Sequence, residues 1–320
     1  MRAVVLDEPG RLVEREVADP VAGEGEVVVE VAACGVCRTD LQIAQGDLGM
    51  RRRPVILGHQ VAGRIAGTGE RVGVAWLHGA DGTCNACRRG LENLCPNAEF
   101  TGWTADGGYA ERVVARRDYV FPLPERFSDV EATPLLCAGI VGYRSLHLAG
   151  VAAGGRLGLY GFGSSAHLAI QVALHRGCEV AVFTRSARER ELAMLLGAAW
   201  AGGYDDPAPW PLDGAVTFAP VGSVVVAALR SLAPGATVAV NAIHLDEMPA
   251  FSYDLLWEER VIRSVANFTR RDATEFLALA AEIPIHAQVT AFPLARAADA
   301  LARLAAGEIS GSAVLVVEES

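Results

Sequence analysis

Hydrophobic and polar residues follow two different patterns along the chain. In the first part, short Val-rich stretches at residues 27–31 and 72–76 lie between glycine-rich turns, which is typical of a β-rich domain. From about Val151, short apolar runs alternate with helical segments, which predicts parallel strands joined by crossover helices. The predicted elements of this second part are strands at 156–160, 179–183, 215–218 and 237–240, and a helix at 166–176 that ends at Gly177.

After about Asn267 the sequence becomes rich in Ala and Leu. It predicts helices at 273–281 and 297–306 and a last strand at 313–317. The chain has 320 residues, of which 51% are hydrophobic, so it can build two cores of ordinary size. We therefore expect two domains, the second of them a dinucleotide-binding fold with a parallel sheet.

The charged residues exclude several classes of function. Lys and Arg together number 28 against 38 Asp and Glu, a net charge of −10, so no basic field is available and we expect no nucleic-acid partner. All of these cations are arginine. Without lysine, a Schiff base, a pyridoxal phosphate linkage and a phosphate-loop lysine are excluded.

The apolar runs and the cysteines indicate where the protein works. No run approaches the roughly 18 apolar residues that a membrane helix needs, and residues 1–5 predict a strand rather than a secretion signal. We expect a cytoplasmic protein with no membrane partner. Its seven cysteines then point to metal rather than disulfides. Five lie at ligand-like positions, and Cys34 and Cys178 are expected to be small buried hydrophobes.

Three separated segments carry a candidate metal site. Residues 34–40 (CGVCRTD), 58–59 (GH) and 136–139 (LCAG) supply two thiolates and an imidazole that can bind one zinc ion. Three protein ligands leave the fourth position open to water or substrate, as in catalytic zinc sites. A second cysteine cluster and a glycine-rich turn follow later in the chain.

With these features in this order, the chain resembles the zinc-dependent medium-chain alcohol dehydrogenases almost end to end. The resemblance implies an α/β protein. Its β-rich, GroES-like catalytic domain would span residues 1–138, completed by 268–320, and a Rossmann domain with a doubly wound parallel sheet would span 139–267. The resemblance also places the active site in the cleft between the two domains. We expect a homodimer or homotetramer.

The resemblance also assigns the zinc ligands. Cys37, His59 and Cys137 would bind the catalytic zinc, whereas Cys34 would only pack. Zinc would act as a Lewis acid that polarises a carbonyl oxygen, or that lowers the pKa of an alcohol so that it can release hydride.

Residues around these ligands have implied roles of their own. Thr39 would take or give the alcohol proton, Asp40 would accept a hydrogen bond from the histidine ligand, and Arg38 would contact the cofactor pyrophosphate. Two positions depart from the family. Gln60 replaces a glutamate, which removes a carboxylate just behind the metal. Gln42 stands where a histidine often relays the proton to solvent, and an amide does not titrate near neutrality.

Residues 76–87 (WLHGADGTCNAC) with Cys95 match the structural-zinc lobe of the family. That lobe normally has four cysteines, whereas here Cys84, Cys87 and Cys95 keep three places and Asp81 occupies the first. Carboxylate oxygen binds zinc but is a harder ligand than thiolate. We expect these four residues to bind a second zinc, and the alternative is an empty or labile lobe.

Residues 161–166 (GFGSSA) fit the dinucleotide-binding fingerprint, with Ala in the third glycine position. They follow a predicted strand and open a predicted helix, which is the context that this fingerprint requires. The cofactor pyrophosphate is therefore expected at this turn, whose residues are Gly161, Phe162, Gly163, Ser164 and Ser165.

The second predicted strand ends in Thr184 and Arg185, without the Asp or Glu that binds the ribose hydroxyls in an NAD enzyme. A guanidinium here can pair with a 2′-phosphate, so we expect NADP(H) in preference to NAD(H). The alternative is that Arg185 lies over the adenine and that both cofactors are used. By resemblance, the nicotinamide carboxamide is held by the backbone of Val265, Ala266 and Asn267.

Together these sites predict an oxidoreductase that is zinc-dependent and interconverts an alcohol with an aldehyde or ketone. Trp76 and Trp103 would line an apolar substrate pocket, which favours a compact or aromatic primary alcohol. Two alternatives stay open. One is a quinone or enone reductase of the zinc-free type, whose relatives lack the metal trio. The other is a catalytically silent homologue, which the two glutamines and Asp81 favour.

Overall fold

The structure of the protein, a computed structural model, describes residues 1–317 in two compact units. The first contains Met1–Cys137, Thr269–Glu282 and the chain from Ala287 onward, and the second contains Ala138–Phe268 and Ile283–His286. The sequence predicts one unbroken tail in the first domain, whereas residues 283–286 pack in the second unit. The reason is local: the Gln171 side chain accepts from the backbone N–H of His286 at 2.8 Å and donates to its carbonyl at 3.0 Å.

The described chain forms the following strands and helices. The strands are β1 Arg2–Glu8, β2 Arg11–Glu16, β3 Glu26–Val36, β4 Val55–Ile56, β5 Gln60–Ile65, β6 Arg71–Val74, β7 Leu77–Gly79, β8 Glu99–Phe100, β9 Arg112–Arg116, β10 Val120–Pro122, β11 Arg156–Tyr160, β12 Glu179–Phe183, β13 Trp200–Gly202, β14 Leu212–Thr217, β15 Leu232–Val240, β16 Val261–Ser264, β17 Val289–Pro293 and β18 Ser312–Val316. The helices are α1 Arg38–Gln45, α2 Asn85–Arg88, α3 Asp129–Ala132, α4 Ala138–Ala149, α5 Ser164–His175, α6 Ala187–Leu195, α7 Gly222–Arg230, α8 Arg270–Glu282 and α9 Ala297–Ala305.

The first unit is built around β3, the longest strand of its sheet. This sheet has the order β10-β6-β5-β3-β18-β17, with β9 also paired to β3. The last strand, β18, runs antiparallel to β3, so the tail of the chain completes the sheet that begins near the N-terminus. Two smaller sheets, β2-β1-β4 and β7-β8, complete the β-rich unit. Cys34 lies on β3 and is fully buried, as expected of a packing residue.

The second unit contains a six-stranded parallel sheet of order β13-β12-β11-β14-β15-β16. Helices α5, α6 and α7 follow β11, β12 and β14, as parallel strands require crossover connections. Part of the core is a stack of Tyr160 on Phe183, whose rings are 4.1 Å apart. The predicted α/β fold, a β-rich part with a Rossmann-type parallel sheet, is confirmed.

Two further expectations concern the membrane and the thiols. Within residues 1–317, no helix has both the length and the apolar character needed to cross a bilayer. The seven cysteines are all free thiols. Cys178 is buried, as predicted, and six of the seven thiols lie in the first unit, where two clusters of metal-ligating side chains occur.

Candidate active site and metal centres

The first cluster begins where β3 passes directly into α1. Cys37 stands at the N-cap of α1 in an extended conformation, and Asp40 is the third residue of the helix. The Asp40 carboxylate turns back and accepts a hydrogen bond from the Cys37 backbone N–H at 2.8 Å. A carboxylate at this position satisfies a backbone donor that a helix start leaves unpaired, so the spacing of the two residues fixes the direction of the Cys37 side chain.

Asp40 also holds the histidine of the cluster. Its Oδ1 lies 3.0 Å from Nδ1 of His59 and accepts from the Gly58 N–H at 3.3 Å, while Tyr109 donates to Oδ2 at 3.4 Å. Asp40 and His59 are both fully buried. Gly58 has a φ of +93°, and a Cβ there would lie 2.3 Å from the Tyr109 ring, so only glycine fits before this histidine.

Cys37, His59 and Cys137 come together from three places in the sequence. Each offers one ligand atom, and these atoms all lie within 4.8 Å of one another. Nε2 of His59 is buried and has no hydrogen-bond partner in the described part of the chain. Because Nδ1 is occupied by Asp40, the free nitrogen is the one available to a metal. A buried polar atom left in this way is costly unless a ligand satisfies it.

The electrostatics around this trio favour positive charge. Burial by itself lowers the pKa of His59, but the charge of Asp40 and the nearby Cys37 sulfur outweigh burial and raise it to about 10. A hydrogen bond from the Cys137 thiol holds the pKa of Cys37 well below its usual value, whereas the same bond raises the pKa of Cys137. The negative charges of Asp40 and the Cys37 sulfur would stabilise a bound cation in the same way.

The two glutamines noted in the sequence lie close to this site. Gln60 begins β5 and is buried, and its side chain packs so tightly against Gly35 that a Cβ there would be 3.0 Å from it. Gln42 lies on α1, and its Oε1 is buried without a partner within residues 1–317. Thr39 places its hydroxyl 3.9 Å from the Cys37 sulfur. Neither glutamine supplies a group that titrates.

An aromatic stack begins at the histidine ligand. Trp76 meets the His59 ring edge-on at 4.9 Å, and Trp103 stacks on Trp76 at 5.8 Å. Phe100 packs against both indoles at 5.3 and 5.6 Å, a neighbour that the sequence did not indicate. The Trp103 ring is held in place because its N–H donates to the Gly49 carbonyl at 2.8 Å. The two predicted pocket tryptophans therefore belong to one aromatic cluster beside His59, and the Arg51 guanidinium lies 4.8 Å from the Trp103 ring.

The second cluster contains Asp81, Cys84, Cys87 and Cys95, whose ligand atoms also lie within 4.8 Å of one another. Asp81 Oδ1 accepts from the backbone N–H groups of Thr83 and Cys84, both at 2.8 Å, and Oδ2 accepts from the Asn97 amide at 2.9 Å. These bonds, led by that from Cys84, hold the pKa of Asp81 far below its usual range. The carboxylate is thus ionised and oriented toward the thiols.

The glycine-rich turn lies between β11 and α5, as predicted. Gly161 has a φ of +88°, and a Cβ there would be 2.9 Å from the Ala219 backbone nitrogen. Gly163 is the N-cap of α5, with Ser164 and Ser165 in the first turn of that helix. The backbone N–H groups at a helix start suit a phosphate. Phe162 is buried against the ring of His167, 4.6 Å away.

At the end of β12, where the strand itself has no acidic residue, an acidic side chain of α6 lies nearby. A carboxylate is present there: Thr184 donates a 2.5 Å hydrogen bond to Oε2 of Glu189, a residue of α6. The sequence did not indicate Glu189 because it follows the strand by several residues. Arg185 is exposed, and it carries the guanidinium expected at this place.

Three further predicted contacts lie elsewhere. Val265 follows β16 and is buried, and Ala266 is exposed. Asn267 has a φ of +60°, and both polar atoms of its side chain are buried without a partner within residues 1–317. Only its backbone had been predicted as a contact, so the side-chain amide is an additional polar group. Arg38 is exposed at the first residue of α1.

The chain is similar to several known proteins. Residues 23–125 match the alcohol dehydrogenase GroES-like domain family. The probable alcohol dehydrogenase AdhA of Mycobacterium tuberculosis is 49% identical over 313 residues, 93% of this chain and 90% of that protein. An alcohol dehydrogenase of Geobacillus stearothermophilus is 34% identical over 338 residues, 99% of this chain and 100% of the relative. The solved structure of a cinnamyl alcohol dehydrogenase of Sorghum bicolor superimposes with a TM-score of 0.90 at 25% identity, covering 100% of this chain and 99% of that one.

Proposed function

The chain belongs to the medium-chain alcohol dehydrogenase family, and from this premise we propose that it is zinc-dependent and interconverts an alcohol with an aldehyde or ketone using a nicotinamide cofactor. Oxidoreductase activity on alcohols follows from the family itself. The observation that carries the zinc proposal is His59, whose Nδ1 is held by Asp40 while Nε2 is buried and unpartnered beside two thiols. Two thiolates and an imidazole are a donor set that suits zinc.

Cys37, His59 and Cys137 would hold the catalytic zinc. When bound, zinc supplies a Lewis acid that polarises the C–O bond of the substrate. Asp40 keeps the His59 ring in one orientation and one tautomer, with the proton on Nδ1 and Nε2 as the ligand. Gln60 adds no negative charge behind the site, so the formal charge of the three ligands is set by the two cysteines.

The substrate would lie against Trp76 and Trp103. These two rings are stacked with an interplanar angle of 18°, and Trp76 meets the His59 ring edge-on. Aromatic side chains beside the metal site suit a compact or aromatic primary alcohol and offer little to a sugar. The Thr39 hydroxyl, near the Cys37 sulfur, would accept the alcohol proton during oxidation while it passes its own proton on toward water, and would do the reverse during reduction.

The cofactor would bind to the second unit, with its pyrophosphate at the Gly161–Gly163 turn. Bound there, the nicotinamide supplies the acceptor or the donor of the hydride. Arg185 supports a preference for NADP(H), because an exposed guanidinium at the end of β12 can pair with a 2′-phosphate. The unpartnered amide of Asn267 is complementary to a nicotinamide carboxamide. Arg38 is proposed to contact the pyrophosphate.

A second zinc is proposed at Asp81, Cys84, Cys87 and Cys95. Four converging ligand atoms close the coordination sphere, which is the arrangement of a structural rather than a catalytic site. Zinc here would order the 81–95 segment without taking part in the reaction.

We also propose that the protein is a cytoplasmic homodimer or homotetramer. Strand β16 ends the parallel sheet and, within residues 1–317, pairs only with β15. Near it, Tyr253 is 67% exposed and Trp257 is 63% exposed. A sheet edge beside exposed aromatic side chains suits the same surface of a second copy. Native mass spectrometry would measure the oligomeric state.

The test of the activity is NADPH oxidation with a panel of aliphatic and aromatic aldehydes, before and after dialysis against a chelator, with zinc measured in each sample. We expect turnover that disappears with the zinc and returns when zinc is added. Turnover that survives complete zinc removal would support a reductase of the zinc-free type. A zinc-loaded protein that binds cofactor but turns over no aldehyde or alcohol would support the catalytically silent alternative.

A further inference from the structure

The carboxylate of Glu189 lies at the end of β12, where the ribose of a bound dinucleotide is recognised in this fold. Thr184 ends this strand region and is buried, and its hydroxyl donates to Oε2 of Glu189. The backbone N–H of Ser186 donates to the same hydroxyl at 3.4 Å. A threonine hydroxyl has a single proton to donate. That proton is therefore committed to the Glu189 carboxylate and is not available to a phosphate.

Positive charge lies beside this carboxylate without neutralising it directly. Arg190 donates to the Thr184 carbonyl at 2.8 Å, and Arg185 is exposed. Within residues 1–317, Glu189 forms no salt bridge. The phenol of Tyr204 lies close to both signs of charge: burial and then Glu189 raise its pKa, whereas Arg185 lowers it. Glu189 and Arg185 both lie next to Thr184, Glu189 through its hydrogen bond and Arg185 as the following residue of the chain.

We propose that Glu189 and Arg185 form an opposed pair that sets the cofactor choice, Glu189 accepting a free ribose 2′-hydroxyl and Arg185 pairing with a 2′-phosphate. The inference rests on the proposed nicotinamide cofactor and extends it: the chain uses both NAD(H) and NADP(H), and Glu189 limits the preference for NADP(H). Oε1 of Glu189 is the oxygen that would accept the hydroxyl, since Oε2 is bound to Thr184.

The physical reason is the different charge of the two ligands. A ribose hydroxyl gains a charge-assisted hydrogen bond from a carboxylate. A 2′-phosphate carries up to two negative charges, and a carboxylate beside the same ribose position opposes its binding. For two unit charges about 4 Å apart, the repulsion depends on the effective dielectric constant. With a value between those of water and a protein surface, it lowers affinity by roughly 5- to 50-fold.

The test measures binding without turnover. Calorimetry on the full-length, zinc-loaded protein would give the Kd of 5′-AMP and of adenosine 2′,5′-bisphosphate, which carry the ribose end of each cofactor and no nicotinamide. The readout is the ratio of the two Kd values. Glu189→Gln should change this ratio in favour of the bisphosphate by about 5- to 50-fold, partly because 5′-AMP binds more weakly. Arg185→Ala should shift it toward 5′-AMP by about 10- to 150-fold.

The matched control is Glu191→Gln, which removes an exposed carboxylate from the same helix and should leave the ratio unchanged. If Glu189→Gln leaves the ratio at the wild-type value while Arg185→Ala changes it, the role of Glu189 is wrong and the cofactor proposal stands. If Glu189→Gln weakens both fragments equally, Glu189 only supports the local structure, and the inference is also wrong. If wild-type protein binds neither fragment, the nicotinamide proposal itself fails.

Discussion

Nδ1 of His59 lies 3.0 Å from Oδ1 of Asp40, and neither side chain is exposed to solvent. The same carboxylate accepts from the Cys37 backbone, so one acidic residue orients two of the three predicted zinc ligands. Since Asp40 is buried behind these ligands, we expect it to act as a positioning residue.

Asp40→Asn should weaken binding of the catalytic zinc by about 10- to 100-fold. The reason is that a neutral amide accepts weaker hydrogen bonds from His59 and the Cys37 N–H than a charged carboxylate does. Competition with a chromogenic chelator measures this affinity. Asp47→Asn, an exposed aspartate just beyond α1, is the control and should bind zinc like the wild type. Unchanged zinc affinity in Asp40→Asn would contradict the positioning role.

Gln42→His should raise alcohol oxidation near neutral pH by roughly several-fold to 100-fold where proton transfer limits the rate, since histidine adds a group with a pKa of about 6.5. The wild type should accordingly favour alkaline pH for oxidation. The measurement is the pH–rate profile at saturating cofactor. Gln45→His, at the exposed end of the same helix, serves as the control. An unaltered profile in Gln42→His, together with complete loss of activity in Thr39→Ala, would show that the proton leaves by another route.

The Asp81 cluster should lose its metal before the catalytic trio does. Its four residues include one hard carboxylate ligand, and Asp81 sits in an exposed loop. The catalytic trio instead combines two thiols with the buried Nε2 of His59. Timed exposure to a chelator, followed by metal analysis and activity at each point, would separate the two sites. Asp81→Cys should slow the first release. Loss of activity in step with the first zinc removed would count against the assignment.

His167 should make the second unit less stable in acid. Burial lowers the pKa of His167 to about 4, from 6.5 in an unfolded chain. Between these pH values the unfolded state binds a proton that the folded state does not, so stability is complete above pH 6.5 and falls as the pH drops toward 4. The loss is about 1–3 kcal/mol.

Urea unfolding at pH 7.5 and 4.5 measures this loss. In His167→Gln the decrease between the two pH values should be smaller than in the wild type by that amount. The comparison between variants removes the contribution of zinc release, which they share. His175→Gln, at the exposed end of the same helix, should behave as the wild type does. Equal decreases in all three proteins would contradict the assignment.

The first two strands of the second unit could be predicted from the sequence to the residue, whereas β14 and β15 begin three and five residues before their predicted starts. The strands at 156–160 and 179–183 agree with β11 and β12, because each is a short apolar run next to a glycine that only a turn accommodates. The two metal-ligand clusters were also predicted, since the motif spacing and order bring together residues that local structure alone cannot.

What the sequence could not determine depends on contacts between distant residues. The pairing of β18 with β3 is suggested by family resemblance, but the apolar pattern of 313–317 names no partner strand. Residues 283–286 pack in the second unit because Gln171 binds the His286 backbone. Glu189 reaches the end of β12 only because α6 folds back over it, and Phe100 joins the two indoles only through the β7-β8 sheet. Periodicity and turn chemistry act over a few neighbouring residues, whereas these contacts form only when the whole chain buries its apolar surface.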